Sequence, residues 1–470
     1  MYRERTPWRP ARLLALLVVI ALVTSGLGNP FAEAAARVRI GDEHLASGEH
    51  TFAREAYGEA RGMVPARASL LLRLAASAES LHRWDEALRY FGAATAYPWA
   101  RPRALAGLAR IAAQVGDTYQ SARLWEQAVS ASRNDPEVLG GYVRSLWQRG
   151  EFGQAQSSLE RWLRLSPEDA DACRYGGIAL ILGGNAAQAG ALLRRAGAAP
   201  LLAALSQDDA PGSLDFFLRM GVALLSLGEE GAARRMFEQA RFLAPHSPVA
   251  EAYYAYTLSQ AGEDAGALGI LRDLAHRWPS YGLVWYFLGE IEHRAGRFAE
   301  ARGHYVRLLA LDPKNSAACV ALGDTYAAED RFAEAEAWYQ QAVELSPQDG
   351  RFWLALARFY VERLQGAAVQ GVAAARKAAQ LLPNDAAAHD ALGWALFLSN
   401  DLTGARESLQ KALQLDDRLA SAQYHAGSLH YALGDGGQAR YHLTRVLDLE
   451  PAGRHADLAR DLLRGLMQRP

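Results

Sequence analysis

The stretch LGDTYAAEDRFAEAEAWYQQAVELSP, Leu322 to Pro347, predicts two apolar helices joined by a charged turn. Small residues stand where the two helices would touch: Gly323 in the first helix, and Ala335 and Ala342 in the second. A larger side chain at such a point would push the helix axes beyond the roughly 8 to 10 Å of close packing. The stretch therefore predicts a tightly packed helix pair.

The same pattern recurs with a period of 34 residues along most of the chain. If Ser316 is position 1, the signature has Gly or another small residue at position 8, Ala at position 20 and Pro at position 32. These three positions hold Gly323, Ala335 and Pro347 in one repeat, and Gly289, Ala301 and Pro313 in the repeat before it. Self-similarity at such a period indicates stacked helical repeats, each of which covers apolar surface on its neighbour.

The register of the repeats gives the domain organisation. Residues 34–203 hold repeats one to five, and residues 214–453 hold repeats six to twelve. The segment 204–213 is an insertion with turn chemistry between them, and residues 454–470 form a more polar helix that would cap the stack.

This pattern resembles the tetratricopeptide repeat family over residues 34–453. The resemblance implies an all-α fold, a right-handed superhelical solenoid of about twelve helix-turn-helix repeats with a C-terminal capping helix. It also implies that one face of the first helix in each repeat lines a concave groove that binds protein partners.

Positions 2, 5, 9 and 12 of the first helix are spaced by three or four residues, so they form one row, which the resemblance places in the groove. The row contains a basic part, an apolar middle part and a C-terminal part rich in aromatic residues. The candidates for partner binding are Arg103, Arg110, Arg144 and Arg174, and, in the last three repeats, Arg351, Arg358, Trp394, Phe397, Tyr424 and Tyr431. The apolar middle part comprises Ile178, Ile181, Leu218, Val222, Leu225 and Tyr256.

Each part of the row has an alternative interpretation that does not involve a ligand. Arginines on a helix face are often simply solvated. The insertion at 204–213 could cover the apolar part, and the helix at 454–470 could pack over the aromatic part. Aromatic residues outside the packing positions remain the strongest candidates, because such residues dominate the energetics of interfaces.

The N-terminus predicts export from the cytoplasm. Four arginines precede an apolar run, Leu13 to Val23, and no charge appears between Leu13 and Ala32. We therefore assign residues 1–33 to a signal or anchor segment that keeps its N-terminus in the cytoplasm. Two alternatives stay open: a single-pass inner-membrane anchor with the body outside the cytoplasm, or a cleaved signal peptide that releases a periplasmic or secreted body.

Composition argues against several functions. The formal net charge of −2 disfavours nucleic-acid binding, which needs a basic surface. Two cysteines, Cys173 and Cys319, are too few and too far apart for a disulfide framework. The twelve histidines are scattered, and there is no HExxH, phosphate loop or nucleophile elbow. The sequence thus predicts no catalytic residue, metal or cofactor.

Two hypotheses about function follow. The first is a non-enzymatic scaffold that holds protein partners of envelope machinery, such as secretion, pilus assembly or polysaccharide export. The alternative is a module that binds carbohydrate or another polymer through the aromatic residues. No feature of the sequence bears on the oligomeric state.

Overall fold

The computed structural model describes residues 30–64, 67–132, 134–206, 210–362, 368–450 and 453–468, and these contain helices and no strand. The predicted all-α class is confirmed. The described helices are α1 (Pro30–Ala46), α2 (His50–Met63), α3 (Ala68–Ser80), α4 (Trp84–Ala94), α5 (Arg101–Gln114), α6 (Thr118–Ala131), α7 (Pro136–Gln148), α8 (Phe152–Leu165), α9 (Ala170–Leu182), α10 (Ala186–Arg195), α11 (Ala199–Leu205), α12 (Leu214–Ser226), α13 (Glu230–Leu243), α14 (Pro248–Gln260), α15 (Asp264–Arg277), α16 (Gly282–Arg294), α17 (Phe298–Leu311), α18 (Ser316–Ala328), α19 (Phe332–Leu345), α20 (Gly350–Glu362), α21 (Ala368–Leu381), α22 (Ala386–Leu398), α23 (Leu402–Leu415), α24 (Ala420–Ala432), α25 (Gly436–Leu449) and α26 (Arg454–Gln468).

The predicted N-terminal anchor falls almost wholly outside this range, because the described residues begin at Pro30. Among the helices given above, none is both long enough and apolar enough to cross a membrane. The described part of the chain therefore gives the predicted anchor helix no support.

The chain divides into two units. The first comprises Met1–Arg133 with Leu447–Ala456, and the second comprises Asn134–Val446 with Asp457–Pro470. Within each unit, the helices pack mainly against their neighbours in sequence, as pairs that stack on the next pair. In the first unit, the backbone N–H and the hydroxyl of Thr51 both donate to Oδ1 of Asp448, at 3.0 and 2.8 Å.

The turn inside each helix pair depends on a residue at position 15 with a positive φ. Glycine holds this position in most of the described repeats, for example Gly296 with φ of 74°. His82, Asp330 and Asn400 take the same left-handed conformation in three others. Only glycine adopts this conformation without steric cost, and short polar residues tolerate it, so the turn is encoded locally.

Position 20 lies against the backbone of the first helix. Ala301 and Ala335 are fully buried there. In the third repeat Ser121 takes the same place, and its hydroxyl donates to the carbonyl of Ala109, at position 8, over 2.8 Å. The contact expected between positions 8 and 20 therefore exists in that pair.

The nearest neighbour of a glycine at position 8, however, is the side chain at position 24. A Cβ added to Gly289 would lie 2.3 Å from the ring of Tyr305, and one added to Gly323 would lie 2.9 Å from the ring of Tyr339. Helix packing tolerates no such overlap. The glycine thus makes room for an aromatic ring as well as for the second helix.

The proline at position 32 contributes through its carbonyl. The indole N–H of Trp285 donates to the carbonyl of Pro279, and that of Trp353 donates to the carbonyl of Pro347, both at 2.9 Å. Each bond joins the start of one repeat to the loop before it. The tryptophan at position 4 therefore packs and also satisfies a carbonyl in the loop between two repeats.

Candidate partner-binding surfaces

The second unit contains an acidic cavity of about 540 Å³, which we name the carboxylate cavity. It lies against α16, α18, α19 and α20. Its polar walls are Glu290, His293, Asp324, Arg358 and Glu362, and its apolar walls include Val320, Tyr339 and Phe359. Arg358 is one of the predicted site residues, whereas the carboxylates were not singled out from the sequence.

Buried tyrosines hold two of these carboxylates in place. The hydroxyl of Tyr305 donates to Oε1 of Glu290 at 2.8 Å, and that of Tyr339 donates to Oδ1 of Asp324 at 2.5 Å. Burial, followed by the negative charge of Glu290, raises the pKa of Tyr305. The hydroxyl of Tyr305 therefore stays protonated and acts as a donor.

The same bond occurs in the first unit, where Tyr57 donates to Oδ1 of Asp42 at 2.7 Å. There the carboxylate also receives two hydrogen bonds from Arg73, which hold its pKa below the usual range. A tyrosine at position 24 with an acidic residue at position 9, fifteen residues earlier, is the sequence signal that could have identified these carboxylates.

The predicted aromatic residues of the C-terminal part come together in what we name the aromatic cluster: Trp394, Phe397, Tyr424 and His425. The Trp394 ring stacks on Phe397, with centroids 5.0 Å apart, and on His425, at 4.2 Å. Tyr424 lies tilted against Trp394 at 6.1 Å. The three predicted members are half-buried and His425 is buried, so the cluster presents an aromatic surface with fixed ring orientations.

A buried carboxylate supports this cluster. Asp390, only 3% exposed, accepts hydrogen bonds from Nδ1 of His425 and from the hydroxyl of Ser421, both at 2.7 Å. Because a carboxylate only accepts, Nδ1 of His425 carries the proton in this bond. Asp390 stands at position 5 of its repeat, one of the positions that form the row. The spacing of residues along the chain does not predict its contact with His425.

The fourth predicted aromatic residue, Tyr431, has a different neighbour. A Cβ added to Gly465 would lie 3.0 Å from the Tyr431 hydroxyl oxygen, so α26 passes close to this ring. The alternative that the last helix packs over the aromatic part therefore applies to Tyr431.

The neighbouring histidines have structural partners. His430 and His442 stack with ring centroids 5.5 Å apart, and Nδ1 of His442 lies 2.8 Å from Oε1 of Gln423. Burial and the adjacent His430 lower the pKa of His442 to about 4, so its ring is neutral near pH 7. Across the described ranges, no group of three or more His, Cys, Asp or Glu side chains is placed to hold a metal ion.

Arginines of the predicted basic part form ion pairs with acidic residues of their own unit. In the first unit, Arg110 makes two hydrogen bonds of 2.6 Å to Glu79, and Arg103 is exposed on α5.

In the second unit, Arg144 lies 3.3 Å from Asp171, and Arg174 bridges Asp171 and Glu229 at 3.1 and 2.8 Å. Glu229 is 8% exposed, and this burial raises its pKa in spite of the neighbouring Arg174. Arg110, Arg144 and Arg174 therefore already neutralise acidic residues of the chain itself.

The remaining predicted residues are distributed between surface and interior. Arg351 is exposed and binds both oxygens of Asp349 in the preceding turn, which lowers the pKa of that carboxylate. In the apolar part, Ile178 and Ile181 are buried in the core, whereas Val222 is 41% exposed. The apolar part is thus divided between core packing and accessible surface.

Models of the tetratricopeptide repeat match residues 143–203, 255–316 and 292–359. No curated protein matches the sequence.

Several solved structures are similar to this chain. The crystal structure of yeast Tom70 is 14% identical, with 92% of this chain and 95% of that chain covered and a TM-score of 0.44. A tetratricopeptide repeat protein from Parabacteroides merdae is 15% identical, with 54% and 99% covered and a TM-score of 0.41. A thermophilic tetratricopeptide repeat protein from Thermus thermophilus is 26% identical, with 39% and 100% covered and a TM-score of 0.36.

Proposed function

Because the chain belongs to the tetratricopeptide repeat family, we propose that it is a non-enzymatic scaffold that binds protein partners. The observation that carries this proposal is the aromatic cluster. Trp394, Phe397 and Tyr424 are half-buried rings whose orientations are fixed by stacking. Rigid aromatic rings at a surface bind with little loss of conformational entropy and are frequent hot spots of interfaces.

The proposal includes the place of action. The arginines before Leu13 to Val23 and the uncharged stretch from Leu13 to Ala32 support export, with the body outside the cytoplasm. The partners would then be components of envelope machinery such as secretion, pilus assembly or polysaccharide export.

Partner binding at the aromatic cluster can be tested by site-specific photo-crosslinking in cells. A photoreactive residue at Leu398, which is 43% exposed at the end of α22, should capture a protein, whereas one at Val306, 53% exposed on α17, should not. Trp394→Ala with Tyr424→Ala should lower the affinity of the captured protein at least about 30-fold, or roughly 2 kcal/mol.

A matched control removes the same residue types elsewhere. Trp99 and Tyr97 are 64% and 39% exposed in the first unit, and their replacement by Ala should leave the affinity unchanged. Equal losses of affinity from the two double substitutions would contradict binding at the aromatic cluster. A response of the Trp394 fluorescence to oligosaccharides, without any captured protein, would overturn the scaffold function.

Export can be tested with alkaline phosphatase fused after Pro470, since this enzyme is active only outside the cytoplasm. We expect activity from the natural chain and a clear reduction when Arg3, Arg5, Arg9 and Arg12 are replaced by neutral residues, because positive flanking charge sets the orientation. Recovery of the chain from the cytoplasm with its N-terminus intact would exclude both the anchor and the signal peptide.

A further inference from the structure

The carboxylate cavity has walls that accept hydrogen bonds. A carboxylate has room for about four hydrogen bonds, and the described residues supply Glu290 with one, from Tyr305 at 2.8 Å. No cation of the described chain forms an ion pair with Glu290. Its remaining acceptor capacity is available to a donor that enters the cavity.

His293 adds another acceptor. The hydroxyl of Thr325 donates its only proton to the carbonyl of Ala321 at 2.6 Å, so it can only accept from His293. Nδ1 of His293 lies 3.0 Å from that hydroxyl oxygen and must therefore be the donor between them. In the neutral imidazole, Nε2 is then left as an acceptor.

The charge of Glu290 favours a cation. Its carboxylate lines the cavity together with those of Asp324 and Glu362 and the guanidinium of Arg358. Because no described cation is paired with Glu290, a positive ligand that enters the cavity gains a favourable Coulomb interaction with it. Because Tyr305 and Tyr339 fix two of the carboxylates, little side-chain entropy is lost when the ligand binds.

A second cavity, of about 450 Å³, lies against α16 and α18, which also line the carboxylate cavity, and against α17. Its walls are mainly apolar and include Leu283, Tyr286, Leu308, Leu311 and Ala317. Leu283 precedes Glu290 by seven residues on α16, which corresponds to roughly 10 Å along a helix. An extended peptide covers that distance in about three residues.

From these two cavities we propose that the site on α16, α18 and α20 binds an extended segment of a partner protein with a lysine or arginine about three residues from an apolar side chain. The cation lies among Glu290, Asp324 and Nε2 of His293, and the apolar side chain lies beside Leu283 and Tyr286. This inference rests on the proposed function, because it specifies the chemistry of a partner that the scaffold binds.

Fluorescence anisotropy of the full chain with dye-labelled, end-capped peptides tests the proposal. The probes are GSLSSKSG, GSLSSESG and GSSSSKSG. We expect GSLSSKSG to bind at least about 10-fold more tightly than either of the others, and its affinity to fall as salt rises from about 50 to 500 mM because salt screens the charges.

The double variant Glu290→Gln with Asp324→Asn should abolish the preference for lysine over glutamate. Both substitutions keep an oxygen that can accept from the tyrosines, so the fold should be retained. The matched control is Glu300→Gln with Glu344→Gln, which removes two charges from exposed positions on α17 and α19 and should leave the preference intact.

Equal affinity for the lysine and glutamate peptides, or equal effects of the two double variants, would overturn the proposal. Equal affinity for GSLSSKSG and GSSSSKSG would refute the apolar contact and with it the stated recognition pattern. If a partner is captured at Leu398 although the peptide experiments refute this inference, the scaffold function still holds. Failure of the inference can therefore be distinguished from failure of the proposed function.

Discussion

Gly289→Leu should lower the free energy of unfolding of its repeat by about 3 kcal/mol, toward the upper end of what overpacking costs. The first atom of the new side chain would already lie 2.3 Å from the ring of Tyr305. That ring is 1% exposed and its hydroxyl is bonded to Glu290, so it has little freedom to move aside. Urea denaturation of the two proteins measures the difference.

Gly303 provides the control for this substitution. It lies in the middle of α17 in the same repeat, and an added Cβ meets no atom within 4 Å. Gly303→Ala should therefore raise stability by up to about 1 kcal/mol, because alanine favours the helix. A loss of stability from Gly303→Ala comparable to that from Gly289→Leu would show that steric overlap is not the cause.

The damage from Gly289→Leu should also remain local, since a repeat contacts mainly its neighbours. Hydrogen exchange should become faster in α16, α17 and the helices packed on them. Uniformly faster exchange over the whole second unit would contradict the independence of the repeats.

Asp390→Ala should lower the free energy of unfolding by about 2 to 4 kcal/mol. The substitution leaves two donors, on His425 and Ser421, without their buried acceptor. Trp394 stacks on His425, so the aromatic cluster should also lose its fixed geometry. Denaturation measures the first effect, and the near-ultraviolet circular dichroism of the tryptophan measures the second.

Two further variants make this prediction specific. Asp390→Asn keeps one carbonyl oxygen that can accept from His425, and should recover part of the stability and of the spectrum. Asp416 is exposed, and among the described contacts its side chain accepts only from the backbone N–H of Arg418. Asp416→Ala should therefore change stability by less than about 1 kcal/mol. Equal effects of Asp390→Ala and Asp416→Ala would contradict the supporting role of Asp390.

Local and periodic features of the fold were accessible from the sequence. The period of 34 residues, the alanines at position 20 and the turn glycines such as Gly296 all follow from packing or backbone rules that act within one helix pair. The candidate site was accessible only in part. The aromatic residues were identified because rings outside packing positions are unusual, whereas Glu290 and Asp324 were missed because acidic residues on a helix face are common.

The sequence by itself determined which residues occupy each position of the repeat, because one helix pair with a fixed turn repeats the same geometry. Only the tertiary structure decided which of the polar residues outside the packing positions are already paired. Arg110 meets Glu79 from the preceding repeat, and His425 meets Asp390, 35 residues earlier. Such contacts depend on how one repeat stacks on the next, at distances of a few ångströms that the spacing of residues along the chain does not specify.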